Sequence, residues 1–196
     1  MNAKNGNTGN AIDALVLQYE SSAKNGKTLF FDENSFLQLI DFYQHEEQLE
    51  KAIEVADQAI ERYLFSTDFY LRKAELLIDA GKEKAALQTL DQTESFAPGQ
   101  LDIVLLKAEA LTYMDKGSEA LELLWEATSV ANKSELGNLY LVESLVYEFN
   151  QDYEKMFQVL KHAVILDPKN DEILERTWWR WNCPENTNKA SLYTKR

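Results

Sequence analysis

Few residues in this chain have the types and spacing that catalysis or metal binding would require. The segment His45–Glu47 lacks the second histidine of the zinc-protease motif, and the other histidine, His162, lies far away in the sequence. The segment Gly6–Gly9 lacks the lysine that a phosphate-binding loop needs. Cys183 is the single cysteine, so it cannot form an internal disulfide, and no basic neighbour is placed to make it a thiolate. We therefore expect a protein that is not an enzyme and that uses no metal or cofactor.

The charge balance indicates which class of partner the protein binds. The 196 residues include 20 lysines and arginines against 33 aspartates and glutamates, for a formal net charge of -13. Such a surface repels nucleic-acid phosphates and anionic lipid headgroups, which favours a protein partner over nucleic acid or membrane. The segment Met1–Asn10 has no apolar stretch typical of a secretory signal, and the longest apolar runs, such as Leu101–Leu106, are short and broken by charge. The expected compartment is the cytoplasm.

The elements that must position any functional side chain are helices, and they repeat. Three prolines and seven glycines in the whole chain leave little material for many tight turns, which favours a mostly helical protein. Aligned segments place Ala52, Ala86, Ala120 and Met156 at equivalent positions, 34, 34 and 36 residues apart. Small residues stand seven positions after each of these anchors: Ala59, Thr93, Ala127 and Ala163.

This pattern resembles the tetratricopeptide repeat (TPR), a helix pair of 34 residues, over residues 33–181. Positions are numbered within each unit from its first residue, which is residue 33, 67, 101 and 137 in turn. Small side chains at positions 8, 20 and 27 let neighbouring helices approach closely, and each unit buries its apolar face against the next. Ile40 and Met156 depart from this rule, which predicts local loosening. The packing residues are Ala52, Ala59, Ala74, Ala86, Ala108, Ala120, Ala127, Ser144 and Ala163.

The resemblance implies an all-α fold, a right-handed α-solenoid of TPR helix pairs with an N-terminal capping helix. The chain is also similar to cytoplasmic TPR proteins of unknown role in Bacteroidota. The two extra residues before the fourth unit are expected in a turn near Ser134–Gly137. The predicted organisation is a disordered arm at 1–10, a capping helix and linker at 11–32, TPR 1 at 33–66, TPR 2 at 67–100, TPR 3 at 101–136, TPR 4 at 137–170, the start of a fifth repeat at 171–181 and an irregular tail at 182–196.

The C-terminal end departs from the repeat. Helical periodicity is lost after Trp179, so that Trp178, Trp179 and Trp181 have no following helix to cover them. Triplets read across the codon boundaries from Trp181 onward restore a tyrosine and a small residue at the expected repeat positions. Two origins therefore stay open for residues from about 180: the out-of-frame end of a longer repeat protein, or a native irregular tail.

In TPR proteins, positions 2, 5, 9, 12 and 13 of the first helix of each unit line a concave groove that holds a peptide or a helix. The resemblance places a leucine at position 5 of every unit and carboxylates at position 2 of two units and at position 9 of three, with Arg72 as the one nearby cation, which argues against a clamp for a C-terminal carboxylate. A ligand with apolar anchors between basic residues is expected, the alternative being that the acidity is ordinary solvation. The predicted groove residues are Leu37, Asp41, Asp68, Leu71, Glu75, Asp102, Leu105, Glu109, Tyr113, Leu141 and Phe149.

The predicted function is a non-catalytic protein–protein interaction scaffold that binds a peptide or helix in this acidic, leucine-lined groove. Two alternatives remain at this point. One is a truncated regulatory TPR module of a longer protein. The other is a structural protein that self-associates through Trp178 and Trp179.

Overall fold

The computed structural model describes residues 5–24 and 31–182. Within these ranges the regular structure is entirely helical, which confirms the predicted all-α class. The chain divides into two compact units, Met1–Gly81 and Lys82–Arg196. The helices are α1 (Asn5–Lys24), α2 (Glu33–His45), α3 (Leu49–Arg62) and α4 (Thr67–Asp79) in unit 1, and α5 (Glu83–Phe96), α6 (Leu101–Tyr113), α7 (Gly117–Thr128), α8 (Lys133–Phe149), α9 (Tyr153–Leu166) and α10 (Asp171–Asn182) in unit 2.

Aromatic side chains build the core of unit 1, in which α1 packs on α2, α2 on α3 and α3 on α4. The ring of Phe31 lies 5.9 Å from that of Tyr19 and 5.8 Å from that of Phe36, and Phe36 contacts Phe69 edge to face at 6.1 Å between centroids. All four side chains are buried. Asp32 caps α2, because its carboxylate accepts a 2.8 Å hydrogen bond from the Ser35 amide.

Aliphatic side chains build the core of unit 2, in which helices adjacent in the chain pack together from α5 to α6 and onward to α10. Ala108, Ala120, Leu124, Leu139 and Val146 form one cluster without solvent exposure. The small alanines let α6, α7 and α8 approach closely, and the leucines fill the space between them.

The nine predicted packing residues lie in the cores of the two units. Ala127 is partly buried, and the other eight have no exposed surface. Ile40 and Met156, the two larger residues at small-residue positions, are 0% and 3% exposed, so both side chains are accommodated inside the core.

Two predicted boundaries are wrong. Residues 5–10 were expected in a disordered arm, but α1 begins at Asn5, because a helix extends by backbone hydrogen bonds beyond the residues that show an apolar face. The turn expected at Ser134–Gly137 lies inside α8 instead. The Asn132 side chain accepts hydrogen bonds from the amides of Ser134 and Glu135, and the Glu135 carboxylate accepts one from the Asn132 amide. This capping box starts the helix early, so the two extra residues lengthen α8.

The turn between the two helices of each repeat has one recurring conformation. Position 15 has a positive φ in all four units: 57° at Glu47, 69° at Gly81, 62° at Asp115 and 60° at Gln151. The left-handed residue turns the chain so that the next amide can donate to the carbonyl five residues earlier. Such bonds run from Gln48 to Tyr43, from Lys116 to Leu111 and from Asp152 to Tyr147, at 2.8, 2.9 and 2.8 Å.

Candidate functional site

The candidate site consists of the side chains at positions 2, 5, 9, 12 and 13 of the first helix of each repeat, which we call the helix A face. In unit 1 this face belongs to α2 and α4. Leu37 and Leu71, at position 5, are half-buried, while Asp41 and Asp68 are exposed. Half-buried leucines and exposed carboxylates therefore both occur at the predicted groove positions of these two helices.

A single arginine joins the two carboxylates at position 9 of unit 1. The guanidinium of Arg72 contacts the Asp41 carboxylate on α2 through Nη2, and its Nη1 lies 3.0 Å from Oε2 of Glu75 on α4. The Arg72 side chain is 30% exposed and that of Asp41 is 61% exposed, so the whole group is open to solvent. The sequence analysis treated Asp41 and Glu75 as two acidic groove residues, but in the structure they share one counter-charge.

A second polar contact joins the same two helices. Nε2 of Gln44, at position 12 of α2, donates a 3.1 Å hydrogen bond to Oδ2 of Asp79, at position 13 of α4. Together with the contact between Arg72 and Asp41, it links side chains of α2 and α4 along the helix A face of unit 1. Sequence reasoning missed both cross-helix contacts, although the three-residue spacing of Arg72 and Glu75 predicts the pairing within α4.

In unit 2 the helix A face belongs to α6 and α8. Leu105 and Leu141 are half-buried, and Asp102 is exposed at the start of α6. Glu109 lies partly exposed two turns later along the same helix. This half of the predicted site therefore again combines leucine surface with carboxylates.

An aromatic pair closes one end of the helix A face of unit 2. Tyr113 and Phe149 occupy position 13 of their repeats, and their rings meet edge to face with centroids 6.1 Å apart. Tyr113 is 39% exposed. The structure thus brings together two aromatic residues of the predicted groove.

A further guanidinium contacts a carboxylate of the helix A face on α8. Nη1 of Arg176, on α10, is 3.6 Å from Oε2 of Glu148, which stands at position 12 of the fourth repeat. Arg72 and Arg176 both occupy position 6 of their repeats, and each contacts a carboxylate of the preceding repeat. Arg176 was not among the predicted site residues.

A buried carboxyl group that sequence reasoning missed lies outside the helix A face. Glu143 on α8 is 7% exposed and accepts a 3.4 Å hydrogen bond from the indole Nε1 of Trp125 on α7. Burial raises the pKa of Glu143 above its ordinary value, while hydrogen bonds from Trp125 and Tyr147 and the nearby charge of His162 lower it less strongly. A glutamate between apolar residues of α8 was the signal that could have found it.

The residues considered for catalysis or metal binding are dispersed. His45 and His162 are both exposed, and within the described residues no three histidine, cysteine, aspartate or glutamate side chains converge as metal ligands would. Cys183 and most of the predicted tail lie outside the described residues, as do the side chains of Trp178 and Trp179. None of the helices described, α1 to α10, has the length and hydropathy that a membrane span requires.

Paired helices with small residues at their contacts, joined by a recurring left-handed turn, define an all-helical repeat protein of the TPR class. Residues 75–180, more than half of the chain, match the family model "Psidin, N-terminal TPR repeats region". The chain belongs to this family of TPR repeat proteins. The membership predicted from the repeat pattern is therefore confirmed.

Solved structures of TPR proteins have the same fold. The MamA structure from Desulfovibrio magneticus RS-1, residues 41 to the end, matches with a TM-score of 0.54 and 15% identity over 82% of this chain and 90% of that one. YrrB, described as a TPR protein with an unusual peptide-binding site, matches with a TM-score of 0.51 and 13% identity over 91% and 88%. A MamA structure from MSR-1 matches with a TM-score of 0.56 and 18% identity over 85% and 90%. These similarities confirm the α-solenoid class.

The sequence has no significant match among curated proteins. The likeness to solved structures is one of fold, since all three identities are below 20%.

Proposed function

We propose that this protein is a non-catalytic scaffold whose helix A faces bind a peptide or helix that carries basic and apolar residues. The observation that carries the proposal is the half-buried leucine surface of unit 2, with Leu105 and Leu141 about two turns before the Tyr113–Phe149 pair on the same helices. Partly exposed leucine and tyrosine side chains offer the anchoring surface that protein partners use.

Charge complementarity supports a basic partner. The chain has a formal net charge of -13, and Asp102 is exposed at the beginning of the unit 2 face. Lysine or arginine residues between the apolar anchors of a ligand would approach a negative surface, which raises the association rate and selects against acidic ligands. Binding is therefore expected to weaken as the salt concentration rises.

YrrB is a peptide-binding TPR protein by its description, and we extend that mode of binding to this chain as part of the proposal. The TPR class also favours a scaffold over an enzyme.

The test uses a short fluorescein-labelled peptide in which leucine and lysine alternate, with a leucine–glutamate peptide as the negative probe. Fluorescence anisotropy is expected to detect binding of the lysine peptide alone. The double variant Asp102→Lys with Glu109→Lys should weaken that binding about tenfold, because it places cations beside the leucine surface. The double variant Glu122→Lys with Glu126→Lys, two exposed changes on α7, is the control because it changes the net charge by the same amount.

Equal affinity of the Asp102→Lys, Glu109→Lys variant and the Glu122→Lys, Glu126→Lys control for the lysine peptide would contradict the proposal. Light scattering on the same samples would reveal the alternative of self-association, since a protein whose partner is its own copy forms dimers without peptide.

A further inference from the structure

We propose that Arg72 determines the specificity of the unit 1 face by acting as an internal competitor for a ligand's basic side chain. This inference rests on the proposed function. The guanidinium already lies against both position 9 carboxylates of unit 1, Asp41 and Glu75, where a lysine or arginine of the ligand would otherwise bind.

Arg72 contacts both position 9 carboxylates at once, as we expect a basic side chain of the ligand to do. Asp41 is on α2 and Glu75 is on α4, and the two terminal nitrogens of Arg72 each contact one of these carboxylates. A planar guanidinium with its fixed fork of donors suits such a bridge, whereas the ammonium group of lysine is a point charge. With Arg72 present the three groups carry one net negative charge instead of two. A basic ligand side chain therefore meets a weaker field on unit 1 than the count of carboxylates suggests.

A ligand's basic side chain could also replace Arg72 in its ion pairs with Asp41 and Glu75. Arg72 is 30% exposed and Glu75 is 38% exposed, so solvent reaches both groups, and exposed ion pairs contribute little to stability. Removing the guanidinium should leave the helices in place and expose two carboxylates to the ligand.

The chain supplies a matched control at the next residue. Lys73 pairs with Asp57 of α3, with Nζ and Oδ1 2.6 Å apart. Lys73→Gln removes the same charge from the same helix as Arg72→Gln, but it releases a carboxylate that is not on the helix A face. Comparing the two variants separates the local effect from that of net charge.

The experiment measures the affinity of the leucine–lysine peptide for the full chain and the variants Arg72→Gln, Lys73→Gln and Arg72→Lys. Arg72→Gln is expected to bind about threefold more tightly than Lys73→Gln, in line with the modest strength of exposed ion pairs, and to respond more steeply to salt. Arg72→Lys should fall between Arg72→Gln and the unsubstituted chain, because it retains the charge without the fork. Circular dichroism at 222 nm checks that each variant is folded.

Two failures are distinguishable. In the first, the Asp102→Lys, Glu109→Lys variant binds the peptide more weakly, but Arg72→Gln and Lys73→Gln bind it equally. This result would overturn the role of Arg72 and leave the proposed function standing. Absence of peptide binding by the unsubstituted chain and by Arg72→Gln would overturn both.

Discussion

Tyr113 and Phe149 occupy the same position in consecutive repeats, and their rings meet edge to face at an interplanar angle of 81°. The contact joins the ends of α6 and α8 on the helix A face of unit 2. Because Tyr113 stays partly exposed, the pair belongs both to the packing of the unit and to the surface offered to a partner.

Replacement of Tyr113 by leucine tests the contribution of the aromatic pair to the packing of unit 2. We expect the variant to lose about 1 kcal/mol of unfolding free energy, the usual worth of an edge-to-face contact, measured by urea denaturation. Tyr113→Phe retains the ring and should lose less stability. A double-mutant cycle with Phe149→Leu gives the coupling energy directly, and a value of zero would show that the rings do not stabilise each other.

Glu143→Gln tests the cost of burying a carboxylate. The pKa of Glu143 is raised in the folded protein, chiefly by burial, so the unfolded chain releases this proton first as the pH rises. The stability of the unsubstituted protein should therefore fall relative to the variant as the pH rises above the ordinary glutamate range. Glutamine stays neutral and still offers an oxygen to the Trp125 indole.

The measurement for Glu143 is the melting temperature of both proteins at pH 4 and pH 7. The melting temperature of Glu143→Gln, relative to that of the unsubstituted protein, should be higher at pH 7 than at pH 4. Glu122→Gln, an exposed change on α7, controls for the loss of a surface charge. A stability difference that shrinks with rising pH would contradict the assignment.

The left-handed conformation at position 15 predicts that glycine is the more stable residue there in both repeats tested. Glu47→Gly should raise the unfolding free energy by roughly 0.5 kcal/mol, because glycine relieves the φ of 57° but loses more entropy on folding. Gly81→Ala should lower the unfolding free energy by about 1 kcal/mol. The cause is backbone strain at a φ of 69° and not a steric clash, since an added Cβ meets no atom within 4 Å. Chemical denaturation checks both, and stabilisation by Gly81→Ala would contradict the argument.

Asn132→Ala tests the capping box that starts α8. The change removes the side-chain oxygen that accepts from the Ser134 and Glu135 amides, and it should cost about 1 kcal/mol of unfolding free energy. Asn138→Ala, an exposed change within the same helix, is the control and should have little effect. Equal stability of the two variants would show that the cap does not contribute.

Part of this structure follows from short stretches of sequence. The alanines that recur 34 residues apart, such as Ala52 and Ala86, predict buried contacts, because small side chains at helical spacing serve little other purpose. The cap at Asp32 is likewise visible from the order of residues. Helix boundaries were harder to predict from the sequence, because signals that start and end a helix lie close together. The capping box at Asn132 starts α8, and the helix continues through Gly137.

Contacts between distant residues required the tertiary structure. Glu75 lies three residues from Arg72, so its pairing could be expected from the helix alone, but Asp41 lies 31 residues away. Whether its carboxylate reaches the guanidinium depends on how α2 lies beside α4, and side-chain packing along both helices sets that register. The sequence by itself thus determined the repeats and the identity of the charged residues, because both are encoded locally. Only the folded chain decided which charges neutralise one another, because that depends on distances across helices.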